Sequence, residues 1–171
     1  VSSTGVIGTP MPMERINAKI SELTSNLDKA SFRDVAEAIL TTDTFPKIVR
    51  KRINIEGKRG IIVGICKGAG MICPHMATML CFLMTDIAVN QHTLQRILKD
   101  AVELSFNRVT IDGDMSTNDT VLLMANGMLG NIPITEKSRS YAILRKTLSE
   151  LTFDLSKLIA QDGEGATKLV E

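Results

Sequence analysis

The chain has no tryptophan, one tyrosine and five phenylalanines. Few aromatic faces are left on which single-stranded bases could stack. Neither sign of charge is in excess: 20 Lys and Arg against 19 Asp and Glu give a formal net charge of +1. The basic surplus of a nucleic-acid binder is missing. No apolar run reaches the roughly 18 residues that read as a membrane-crossing helix. Neither a nucleic-acid nor a membrane partner is therefore expected. Cysteine is scarce and odd in number, with Cys66, Cys73 and Cys81 and no CxxC pair. Reduced thiols in a reducing compartment are the expectation. The N-terminal VSSTGVIGTP has neither the basic stretch nor the apolar core of a secretory signal, and it does not begin with Met. The expectation is a processed chain or a fragment.

What is present is ordinary globular material. The chain has 171 residues, 44% of them hydrophobic and 23% charged. That is one domain, or one piece of a larger enzyme, with enough apolar residues for a core that needs no disulfide or metal. Ile16, Ile20, Leu23 and Leu27 share one helix face. A short helix fits 31–40, with Ser31 as N-cap and Asp34 three residues on. Strands are expected over 48–55 and 60–66, joined by the turn EGKRG, and again in TMLCFLMTDIAV after Pro74. A helix fits 91–106. VTID and TVLLMANG read as strands. Tyr141, Leu144, Leu148, Leu151, Leu155 and Leu158 mark a helix of about six turns. LVE at the end reads as a last strand. Strands interleaved with helices predict an α/β layered fold in a single region, 1–171.

The stretch KGAGMICPHMATMLCFL, residues 67–83, holds most of the candidate chemistry. Thr78 follows a small residue, Ala77, and opens an apolar segment. A threonine hydroxyl is a poor nucleophile at neutral pH. Cleavage of the bond before it would free its own α-amine as base. On pattern alone, a threonine that merely opens a strand fits as well. Cys66, Cys73, His75 and Cys81 match no standard zinc spacing, and small apolar cysteines are the better reading. No metal is expected. A Cys73–His75 nucleophile pair lacks a third, orienting group. Lys67 and the loop after it could cradle an anion. Thr4 and Gly5, in STG, could offer backbone donors to an oxyanion. Glu164 lies between two glycines, where a solvated turn residue is the plainer reading.

Taken together, STGVIG (3–8), TTDTFPK (41–47), KGAGM (67–71), MATML (76–80), TND (117–119), LLMANG (122–127) and DGEGATK (162–168) resemble the ornithine acetyltransferase family, the bifunctional glutamate N-acetyltransferases of arginine biosynthesis. The segments occur in the family's order and cover nearly the whole chain. The resemblance implies an N-terminal-nucleophile-like fold and self-cleavage between Ala77 and Thr78, giving residues 1–77 and 78–171. It implies that Thr78 takes the acetyl group from N-acetylornithine and that glutamate then accepts it. Thr4 and Gly5 match the oxyanion-hole pair. Thr41, Lys67, Thr78 and Glu164 match substrate-contacting positions. No cofactor is implied, with acetyl-CoA left open as a further donor. The implied partners are the two pieces themselves, as a heterotetramer of two of each. The implied location is the cytoplasm, or the mitochondrial matrix in a eukaryote. Family chains extend beyond both ends of this one.

Two other readings stay open. One is a self-processing aminopeptidase in which water accepts the acyl group. The other is a core fragment that folds but catalyses nothing.

Overall fold

The computed structural model describes every residue except 1, 6–7, 29–30, 71, 74–75, 78, 115 and 171, and describes 72–73 and 76–77 by backbone alone. The chain runs through α1 (Met13–Ser25), α2 (Phe32–Ala38), β1 (Lys47–Ile55), β2 (Lys58–Lys67), β3 (Ile72–Cys73), β4 (Met76–Ala77), β5 (Leu80–Thr85), α3 (Gln91–Glu103), β6 (Thr120–Ala125) and α4 (Tyr141–Gln161). Four strands form one sheet in the order β1-β2-β5-β6. The first two pairings are antiparallel. The last, β5 with β6, is parallel and is reached through α3. This is the layered α/β class that the interleaved sequence pattern predicts.

Local chemistry sets most boundaries. Ser31 and Asp34 form a reciprocal capping box at the start of α2, which fills two helix-end donors at once. Glu56 and Gly57, at φ 52° and 85°, join β1 to β2. Two left-handed residues make the turn whose twist matches a hairpin, and Asn54 Oδ1 accepts from Gly57 N at 2.8 Å. The last helix buries Leu144, Leu148, Leu151, Leu155 and Ile159 against the sheet. At roughly 1.5–3 kcal/mol per buried aliphatic side chain, this stripe is the main anchor of the helix layer. It sits close because Gly64 has no side chain. A Cβ there would lie 2.7 Å from Leu155 Cδ1 and 2.8 Å from Leu151 Cδ2.

Several expectations change. The first helix forms, but none of its residues is buried, and Leu23 is 65% exposed. The strand expected after Pro74 spans only Leu80–Thr85. There Asp86 turns the chain: its carboxylate accepts from Ile61 N at 2.9 Å and its carbonyl from Leu129 N at 2.8 Å. VTID is not a strand. After α3 a short 3-10 turn (Phe106–Arg108) intervenes, and Val109 N donates back to Phe106 O at 3.2 Å. Residues 169–170 form no strand, and Val170 is 91% exposed. The two-residue strands β3 and β4 pair with each other, Ile72 with Ala77 and Cys73 with Met76. The sheet face away from the helices is partly open, with Leu122 and Met124 each 45% exposed.

Candidate active site

Lys67 ends β2 and pairs across to Leu80. Strand alternation turns it away from the core-facing Cys66. It is only 3% exposed. Its Nζ donates to Thr41 Oγ1 at 2.9 Å, and it makes no ion pair among the described residues. Burial pulls its pKa down, against the opposing pull of Asp43 and Asp119. A buried ammonium without a counter-ion is costly.

The loops around Lys67 are held by a buried charge cluster. Lys47 Nζ lies 2.7 Å from Asp43 Oδ1 and 2.5 Å from Asp162 Oδ2. Asp43 also accepts from Gly68 N at 2.6 Å. Asp162 accepts from Thr44 N at 3.0 Å and from the Thr44 hydroxyl. Burial alone would raise both carboxyls, but these hydrogen bonds outweigh it and hold both below the usual carboxylate range. Three segments meet at this cluster: the Thr41 loop, the loop after Lys67 and the DGEG turn after α4.

Glu164 stands on the third segment. Its N–H donates to Ala69 O at 2.7 Å. Its carboxylate lies over Gly70, where an added Cβ would come within 2.9 Å of Cδ. The structure thus brings Thr41, Lys67 and Glu164 to one place. It puts a fixed cation and a carboxylate on the two ends of a four-residue loop.

Gly5 belongs to a second line of contacts. Asn118 Nδ2 donates to Gly5 O at 3.2 Å. Next to it, Asp119 Oδ1 accepts from Met79 N at 2.9 Å, while its Oδ2 is buried without a partner among the described residues. Burial raises the Asp119 carboxyl to about 6, despite bonds from Met79 N and Ser116 and the charge of Lys67. Gly5 N donates to Ser3 Oγ at 3.1 Å, so an oxyanion would have to take that donor from the hydroxyl. Thr4 is half-buried. Thr78 lies outside the described residues, as do His75 and the side chains of Cys73 and Ala77.

Cys66 and Cys81 face each other across β2 and β5 as free, buried thiols. Burial pushes Cys66 up to about 12. Both are packing residues, as the sequence suggested. A cavity of about 710 Å³ lies at the far end of the sheet, beside Arg50, Arg52 and Arg59, and one of about 470 Å³ borders Met79, Asp119 and Val121. Thr41, Lys67 and Glu164 line neither. Sequence reasoning missed Asp43, Lys47, Asp119 and Asp162. All four lie in segments that carried the resemblance, and that was their only signal.

Comparison with known proteins places the chain. The ArgJ family's sequence profile matches residues 1–171. The chain is 52% identical to the arginine biosynthesis bifunctional protein ArgJ of Geobacter sulfurreducens, matching all of this chain and 44% of that protein. It is 46% identical to the mitochondrial ArgJ of Dictyostelium discoideum, over 99% of this chain and 38% of that one. The crystal structure of ArgJ from Bacillus halodurans superposes with a TM-score of 0.50 at 44% identity, over 51% of this chain and 41% of that chain. The chain spans less than half the length of these relatives. With a profile match from end to end and identities near one half, the chain belongs to the ArgJ family.

Proposed function

We propose that the full-length protein is a glutamate N-acetyltransferase, moving an acetyl group from N-acetylornithine to glutamate through an acetyl-threonine at Thr78. One observation carries this reading in a member of the ArgJ family: the buried Lys67 ammonium, bonded among the described residues only to Thr41, stands at one end of a loop whose other end meets the Glu164 carboxylate. That pairing suits an amino acid, with Lys67 taking its carboxylate and Glu164 its amine.

The chemistry then follows in balanced steps. The Thr78 hydroxyl first adds to the Ala77 carbonyl, the Ala77–Thr78 C–N bond breaks to leave an ester and a free α-amine on Thr78, and water then hydrolyses the ester, releasing the Ala77 carboxylate and restoring the hydroxyl. That amine, with an ordinary pKa of roughly 7.7–8.0, takes the hydroxyl proton. The oxygen attacks the acetyl carbonyl of N-acetylornithine, and the proton leaves on the amine of ornithine. The amine of glutamate attacks the ester in turn, and Thr78 recovers its proton. Donors at Thr4 and Gly5 stabilise each oxyanion, and one such donor is worth about 3 kcal/mol. This route calls for no cofactor. Acetyl-CoA would enter only as another donor.

After cleavage the pieces 1–77 and 78–171 stay together, because β5 of the second lies between β2 of the first and β6. A heterotetramer of two of each is the proposed assembly. Among the described residues no helix is long and apolar enough to cross a membrane.

The test is acetyl transfer by full-length Thr78→Ala and Thr78→Ser. Alanine should abolish cleavage and transfer, and serine should keep some of each. Release of acetate without glutamate would instead mark a hydrolase.

A further inference from the structure

We propose that the turn at Thr117–Asp119 is a positioning clamp that sets the oxyanion-hole pair against the nucleophile. The inference rests on the reading of Thr78 as nucleophile and of Thr4 and Gly5 as oxyanion donors. These two groups lie far apart in the chain, yet acyl transfer needs them within a few tenths of an ångström of their working separation. No described hydrogen bond joins them directly. The turn joins both.

On one side, Asn118 Nδ2 donates to Gly5 O at 3.2 Å. That carbonyl is on the oxyanion-hole residue itself, so the bond holds the Gly5 backbone to the turn. The next residue but one adds a second tie: Ser2 Oγ donates to Thr120 Oγ1 at 2.9 Å. On the other side, residue 79 is gripped at both backbone groups. Met79 N donates to Asp119 Oδ1 at 2.9 Å, and Thr120 N donates to Met79 O at 3.1 Å. Met79 N is bonded to the carbonyl carbon of Thr78, so this grip acts on the nucleophile's own residue through one rigid peptide unit.

The turn is itself held in shape, since Ser116 Oγ accepts from Asn118 N at 3.2 Å. Neighbouring side chains therefore point to two different partners from one short piece of backbone. The buried Asp119 Oδ2, left without a described partner, is surplus to a mere loop closure. With bonds from Met79 N and from Ser116, the carboxylate is oriented between the turn and residue 79.

The experiment uses the full-length protein and four variants: Asn118→Ala, Asp119→Ala, Asp119→Asn and Thr78→Ala. Chain cleavage, kcat, KM and melting temperature are measured for each. Asp119→Ala should slow cleavage and lower kcat about 100-fold, the scale of a misplaced reacting group. Asp119→Asn keeps an oxygen for Met79 N and should recover to within about tenfold of wild type, as fits one ordinary hydrogen bond. Asn118→Ala, at a half-buried site, should lower kcat with KM and melting temperature unchanged. Wild-type rates in Asn118→Ala and Asp119→Ala, with Thr78→Ala inactive, would overturn the clamp and leave the proposed function standing. An asparagine variant as slow as the alanine one would also overturn it, by assigning the effect to charge. An active Thr78→Ala would remove the function on which the clamp rests. If Asp119→Ala does not fold, Asn118→Ala decides alone, and an unchanged kcat there sinks the proposal.

Discussion

Lys47 Nζ and Asp162 Oδ2 lie 2.5 Å apart although 115 positions separate them in the chain, and neither side chain is more than 2% exposed. This contact ties the start of β1 to the end of α4. Asp43 shares the same ammonium. The loops bearing Thr41, Lys67 and Glu164 all spring from this point.

Removing the cation should therefore be severe. Lys47→Met leaves two buried carboxylates facing each other and should destabilise the full-length protein by about 3–5 kcal/mol in urea unfolding. The folded pKa values of Asp43 and Asp162 are depressed. Their contribution is thus present above the ordinary carboxylate pKa of about 4 and is lost as pH falls through the lower folded values. The stability gap between wild type and variant should narrow in that acid range. A gap independent of pH would contradict the pairing.

Lys67→Met should weaken both half-reactions. A charge-assisted hydrogen bond of about 1.5–3 kcal/mol corresponds to a rise of roughly 10–100-fold in KM for N-acetylornithine and for glutamate. Steady-state kinetics with each substrate in turn provide the check. An effect on one substrate alone would contradict a shared carboxylate site.

Glu164→Gln should hurt the ornithine side more, because glutamate carries no second amine. Ornithine release in a single turnover, compared with acetyl transfer to glutamate from preformed acetyl-enzyme, separates the two. Equal losses would remove the amine-binding role from Glu164.

How much of this was readable beforehand differs by element. The long helix shows in its leucines, since a stripe at 3–4-residue spacing depends only on local order. The capping box of Ser31 and Asp34 is equally local. Lys47 is not readable in this way. A lysine in a strand is normally solvated, and the carboxylate that buries it is supplied from the far end of the chain. Asp86 likewise ends β5 by bonding to another strand. VTID has strand-like residues, yet the sheet continues through β6, so its propensity finds no partner. Within the site, Thr41, Lys67 and Glu164 were visible only through the motifs that carry them. Their convergence depends on a cluster that no periodicity marks.

Asp119 should make stability depend on pH in the opposite sense to Asp43. Burial raises its folded pKa to about 6, with Met79 N, Ser116 and Lys67 pulling the other way. A carboxyl raised above its unfolded value contributes most below the unfolded pKa, about 4, and that contribution is lost as pH rises through about 6. Melting temperature of wild type relative to Asp119→Asn should therefore fall between those values. A constant difference across that range would contradict the raised pKa.

Acetyl transfer through Thr78 is tested most directly by denaturing mass spectrometry of the full-length protein after incubation with N-acetylornithine and no glutamate. The account predicts two pieces, the second beginning at Thr78 and heavier by one acetyl group, with that extra mass lost once glutamate is added. A single uncleaved polypeptide, or a second piece that never gains an acetyl group while ornithine is released, would contradict it.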